Sequence, residues 1–166
     1  MKLRTMLGLF AGLVLFAGFA VPQSKPATGF DQLKTLAGEW EGKTENGKSV
    51  RVYYKVISGG SALLETLAPG GEPEMLTVYN LDGNHVMLTH YCSAGNQPRM
   101  RALAATPGAK EFNFAFLDAT NLASPAAGHM HKLAIRLEDN DHFTQRWTWR
   151  DNGKEATEVF HFTRKK

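Results

Sequence analysis

The stretch Phe30-Asp31-Gln32-Leu33-Lys34-Thr35-Leu36-Ala37-Gly38-Glu39-Trp40-Glu41-Gly42 decides how this chain is read. Phe30, Leu33 and Leu36 recur at helical spacing and form the apolar side of one short turn, which Asp31 is placed to cap. Gly38 ends the turn, and Trp40 starts an extended segment. From there to the C-terminus the texture is strand, turn, strand.

Strands are expected near 39–44, 50–56, 62–67, 75–81, 85–92, 99–105, 111–117, 130–137, 142–149 and 155–163. Val50, Val52, Tyr54 and Val56 alternate with Arg51, Tyr53 and Lys55. Phe112, Phe114 and Phe116 share one face, as do Leu133, Ile135 and Leu137. Asn46-Gly47, Gly59-Gly60, Asp82-Gly83-Asn84, Asp139-Asn140-Asp141 and Asn152-Gly153 supply the turns. Hairpin-length connections leave little room for crossovers. The expected fold is therefore all-β: an antiparallel up-and-down β-barrel of about ten strands, which leaves no unpaired edge. A two-sheet sandwich is the competing architecture.

Residues 1–20 read as a signal peptide that is cleaved. Lys2 and Arg4 precede an apolar run, and Gly18 and Ala20 are the small residues at −3 and −1 of the expected cleavage point. The run is short for a membrane span, which takes about 20 residues. The expected location is secreted or periplasmic, with no transmembrane segment after cleavage. Residues 21–29, with Pro22 and Pro26, read as a flexible leader, and 30–166 as a single barrel domain. The formal net charge of +3 includes two basic residues from 1–20 and no acidic one, so the remainder carries +1. Arg99 and Arg101 form a local cluster, as do Arg164, Lys165 and Lys166. Neither makes a nucleic-acid-binding stripe. Cys92 is the one cysteine, so no internal disulfide forms.

A helical turn, then Gly38-x-Trp40, then a β-meander resembles the calycin group: lipocalins, fatty-acid-binding proteins and nitrobindins. The resemblance implies that a late basic residue, Arg164, stacks on Trp40 where the barrel closes. His90 to Arg99 and Gly128 to His131 also look similar to uncharacterised secreted bacterial proteins of this type. The opening Gly38-x-Trp40-x-Gly42 and the ending Phe160-His161-Phe162 resemble nitrobindins. By that match haem is the possible cofactor, with His161 as its axial ligand.

In a meander, alternate connections share one end. The longer ones, 68–74, 93–98 and 118–129, should form an open mouth, with the N-terminal turn plugging the other end. His90, Cys92, Asn96, Gln97, Arg99, Asp118, Asn121, His129, His131 and Arg146 then collect around the mouth. They suit a polar or anionic head group, with an apolar tail held in the barrel. His90 and Cys92 should share a face with Val86 and Leu88.

The leading expectation is a binding protein, monomer or homodimer, for a small and mostly apolar ligand. Haem held by His161 is the alternative. His129, His131 and Cys92 are also candidate ligands for a soft metal such as copper. A hydrolase-like site pairing Cys92 with His90 or His131 near Asp118 is a further reading. It has no nucleophile elbow or phosphate loop behind it, so an enzyme is the less favoured expectation.

Overall fold

The computed structural model describes residues 28–103 and 108–166. The expected signal peptide, nearly all of the expected leader and residues 104–105 of the expected sixth strand lie outside that set. The chain starts with helix α1 (Gly29–Lys34), followed by β1 (Gly38–Thr44) and β2 (Ser49–Ile57). A short 3-10 turn (Ser58–Gly60) leads to β3 (Ala62–Pro69), β4 (Met75–Asp82) and β5 (His85–Tyr91). Then come β6 (Gln97–Leu103), β7 (Glu111–Thr120), β8 (His129–Leu137), β9 (His142–Asp151) and β10 (Lys154–Arg164).

All ten strands pair antiparallel with their sequence neighbours, and β10 returns to β1 to close the barrel. The closing register sets Trp40 opposite Arg164 and Gly42 opposite Phe162. A side chain at Gly42 would run into the His161 carbonyl and the Phe162 ring, so glycine is what allows the two strands this close. Helix α1 is held by a capping box. Thr28 is the N-cap, not Asp31; its backbone N–H donates to Asp31 Oδ2 at 2.6 Å, and the Asp31 N–H donates back to Thr28 Oγ1.

The closed end is filled by the protein's own side chains. Phe30 and Leu33 from α1, and Leu36 just after it, pack there with Trp40, Phe143 and Phe162, all essentially buried. Trp40 meets Phe143 edge-on, with ring centroids 4.7 Å apart. Phe116 does not join Phe112 and Phe114 in the core. The register slips at Arg99/Met100 between β6 and β7, and Phe116 packs on the rings of His129 and His131 instead. A second slip at Met130/Lys132 turns the start of β8. Both irregularities lie toward the end formed by the connections after β5 and β7, where bulges commonly re-aim side chains.

Candidate functional site

The centre of the barrel is polar, because strict alternation along four neighbouring strands carries one polar side chain each to the same level. Tyr54 pairs with Glu65, Glu65 with Thr77 and Thr77 with His90. Glu65 and Thr77 are fully buried, and His90 is 1% exposed. Three donors converge on Glu65 Oε2: the Tyr54 hydroxyl at 2.6 Å, the Tyr79 hydroxyl at 2.7 Å and Gln145 Nε2 at 2.7 Å. Trp147 Nε1–H can only donate, and it does so to Gln145 Oε1 at 3.2 Å. That contact fixes the amide with its NH2 toward Glu65. Thr77 Oγ1 touches the other carboxyl oxygen, Oε1, at 3.3 Å, and His90 Nδ1 at 2.9 Å.

No cation touches Glu65 among the described residues. Burial therefore pushes its carboxyl above the usual range, partly offset by its hydrogen bonds to Tyr54, Tyr79, Gln145 and Thr77. Burial also pushes both tyrosines well up, so they remain donors. The same burial lowers His90 to about 4, which keeps its imidazole neutral.

Above this row, at the end formed by the connections after β1, β3, β5, β7 and β9, lies an open cavity of about 220 Å³. Leu67, Met75, Met130, Trp147, Trp149 and Phe160 give it an apolar wall, and Glu72 and Glu158 also line it. His90 is its histidine. The imidazole lies against Trp147 with centroids 4.7 Å apart, and its buried Nε2 has no hydrogen-bond partner. An orphaned polar atom beside an apolar cavity is what a bound ligand would satisfy. A wider depression of about 760 Å³ lies on the outer wall, lined by residues including Lys132, Arg136, Arg146 and His161. Among the described residues no orphaned buried polar atom faces it.

The residues expected to gather at one mouth fall into several separate groups. His90 and Cys92 are both buried, Cys92 as a free thiol within the apolar core. Asn96 ties two connections together by donating from Nδ2 to the Gly128 carbonyl. Gln97 and Asn121 both donate to the Gly95 carbonyl. Arg99 and Asp118 are exposed and pair with each other in a two-pronged contact. The carboxylate holds the guanidinium proton, and the guanidinium holds Asp118 below the usual carboxylate range. Arg146 is exposed on the outer wall.

His129 and His131 form a cluster of their own. Arg150 donates to His131 Nε2 at 3.2 Å. With both rings neutral, His131 then donates from Nδ1 to His129 Nε2 at 3.1 Å, and His129 Nδ1–H to the Ala127 carbonyl at 2.7 Å. Every ring nitrogen has a hydrogen-bond partner. Among the described residues no three histidine, cysteine or carboxylate side chains converge on a point where a metal ion could sit. The hydrolase-like pairing fails similarly, since Cys92 hydrogen-bonds to no histidine side chain among the described residues.

His161 faces away from the barrel interior that the haem expectation requires. It is exposed on β10, between the buried Phe160 and Phe162, because side chains alternate across a strand. Its Nδ1 lies 3.3 Å from Thr144 Oγ1, and it lines depressions of the outer wall. From there it cannot ligate an iron inside the barrel. Sequence reasoning missed Glu65, Thr77, Tyr79 and Gln145. The available signal was their phase: Leu63-x-Glu65-x-Leu67 and Phe143-x-Gln145-x-Trp147 set a polar residue between two inward apolar ones.

No family model matches the chain, and no curated protein matches its sequence. Two solved structures are similar in fold. The first is Rv2717c from M. tuberculosis, at 14% identity and a TM-score of 0.59; the match covers 86% of this chain and all of that one. The second is a protein of unknown function of the DUF3598 family from Nostoc punctiforme, at 13% identity and a TM-score of 0.55. That match covers 81% of this chain but 49% of the other, so the present chain spans about half its length. At these identities the likeness is one of fold: a closed antiparallel barrel, compatible with ligand binding. No α-helix among the described residues is long and apolar enough to cross a membrane.

Proposed function

We propose that this barrel binds a small, neutral, mostly apolar molecule at its open end, with one polar atom hydrogen-bonded to His90 Nε2. The observation that carries this reading is the orphaned, buried Nε2 of His90, a residue that lines a largely apolar cavity. Glu72 and Glu158 at the same cavity favour a neutral over an anionic head group, because like charges repel. Of the polar or anionic head group expected, this reading keeps the polar one. With the signal-like residues 1–20, the reading is of an exported binding protein, and mass measurement of the periplasmic chain checks the cleavage.

Trp147 and Trp149 line the cavity, and Trp40 lies in the plugged end, so tryptophan fluorescence reports occupancy. Titration with an aliphatic methyl ketone should shift the emission and saturate. His90→Phe should weaken binding roughly three- to tenfold, the worth of one hydrogen bond of about 0.5–1.5 kcal/mol. If neither aliphatic ketones nor esters produce a saturable shift, the proposal is wrong.

A further inference from the structure

The hydrogen-bonded row beneath the cavity has a direction, and that direction decides what the cavity nitrogen offers. Glu65 Oε2 already accepts from three donors, so a proton on Glu65 sits on Oε1, facing Thr77. With Glu65 neutral, Oε1–H donates to Thr77 Oγ1, and the Thr77 hydroxyl donates to His90 Nδ1. The single imidazole proton is then on Nε2, the buried ring nitrogen without a partner on a residue that lines the cavity. With Glu65 ionised the chain runs the other way: His90 Nδ1–H donates to Thr77, Thr77 donates to Oε1, and Nε2 presents a lone pair.

We propose that Glu65, Thr77 and His90 form a proton relay that sets the hydrogen-bonding polarity of the cavity, making it select ligands that carry a neutral acceptor oxygen such as a ketone, ester or amide carbonyl. This rests on the binding reading above and names the ligand class. The proton balance is closed. As the row ionises, Nε2 gives its proton to water in the cavity, the Thr77 proton moves to Nδ1, and the Glu65 proton moves to Thr77. The negative charge ends on Glu65, facing the donors from Tyr54, Tyr79 and Gln145. Burial with no cation alongside favours the neutral form, pushing the carboxyl above the usual range against the opposing pull of its hydrogen bonds to Tyr54, Tyr79, Gln145 and Thr77. The groups facing Glu65 are Tyr54 on β2, Thr77 and Tyr79 on β4, and Gln145 on β9, with His90 on β5 reached through Thr77. Of these only the tyrosines and His90 titrate.

Glu65→Gln is the informative variant. Its carbonyl oxygen must take the place of Oε2 to accept three donors, which turns its NH2 toward Thr77 and locks the row in the neutral-acid direction. The histidine tautomer is read by 15N NMR on the ligand-free full chain as pH is raised. Wild type should carry the proton on Nε2 at neutral pH and move it to Nδ1 as Glu65 ionises. Glu65→Gln should keep it on Nε2 throughout. Thr77→Val, which keeps the volume and cuts the relay, should abolish the pH-linked change and stands in if Glu65→Gln does not fold.

A methyl ketone should bind wild type and Glu65→Gln at least fivefold more tightly than its isosteric alkene at neutral pH. On ionisation that preference should vanish in wild type alone. A proton on Nδ1 at neutral pH, or identical tautomer profiles in wild type and Thr77→Val, overturns the relay even if ligands bind. Absence of all binding with the expected tautomer profiles overturns the binding reading and the ligand class, leaving the relay as internal chemistry only.

Discussion

The Arg164 guanidinium lies 4.0 Å over the Trp40 ring, across the β1–β10 closure where the two residues are register partners. The same guanidinium donates to the carbonyls of Thr35, Ala37 and Asn140, each at 3.0 Å. One side chain thus ties the helical plug, the β9 hairpin and the last strand to the first. Gly38 has φ +127, and an added Cβ would come within 3.0 Å of Arg164 Nη1. This is why glycine stands two residues before the tryptophan.

Arg164→Ala should therefore destabilise the barrel by about 2 kcal/mol, from the lost cation–π contact and three carbonyls left to water. Arg164→Lys should recover only a minority of that, because an ammonium lacks the planar fork. Gly38→Ala should cost on the order of 1–3 kcal/mol from backbone strain. Chemical denaturation of the three variants measures all of this. Equal stability of Arg164→Ala and wild type would count against the closure role.

Removing the Glu65 carboxyl should be worse than neutralising it. Glu65→Ala leaves two tyrosine hydroxyls and one amide buried without their acceptor, on the order of 3–5 kcal/mol together. Glu65→Gln keeps an acceptor there and should cost about 1–2 kcal/mol at neutral pH. Because the folded-state carboxyl titrates above its unfolded value, its stabilising share is full below the unfolded value near 4.5. That share falls as pH rises through the raised folded value. Wild type should accordingly lose stability relative to Glu65→Gln as pH rises from about 4.5 toward that raised value. Parallel pH profiles would contradict a neutral Glu65.

His90 gives the opposite slope. Its folded-state value is lowered to about 4 by burial, from an ordinary 6.5. The stability it contributes is present above 6.5 and is lost as pH falls toward 4, on the order of 3 kcal/mol in all. His90→Asn, compared with wild type between pH 7 and 4, should remove that acid sensitivity. A difference curve that stays flat across this window would mean His90 is already charged or freely solvated.

The outer-wall charges should not affect binding. Arg99→Ala, Asp118→Ala and Arg146→Ala alter exposed side chains that do not line the cavity, and ketone affinity should stay within twofold. Trp147→Ala should weaken it at least tenfold, since that ring forms a wall of the cavity and flanks His90. Loss of affinity in Arg99→Ala would move the site to the other side of the β6–β7 wall.

Alternation and turn chemistry made the barrel legible before any coordinates. Val50, Val52 and Tyr54 are inward, as are Leu133 and Ile135, and the ten strands pair in chain order. The candidate site was legible only in part. His90 could be read as inward from its phase with Val86 and Leu88. Arg99, Asp118 and Arg146 were grouped with it because sequence position shows which end of a strand a residue occupies more readily than which face it presents. The bulges at Met100 and Met130 also reset the phase locally, without a distinctive residue to announce them.

What the sequence by itself determined is the repeating hairpin, the plug helix and the glycine–tryptophan junction, all local consequences of backbone preference and period-two burial. What only the tertiary structure decided is that Glu65, Thr77 and His90, spread over three strands, meet one another and Gln145 of β9 inside one closed wall. Barrel closure brings Gln145 within 2.6 Å of Tyr54, 91 residues away in the chain. No spacing along a chain encodes that meeting, because it depends on the register and curvature of every strand between them.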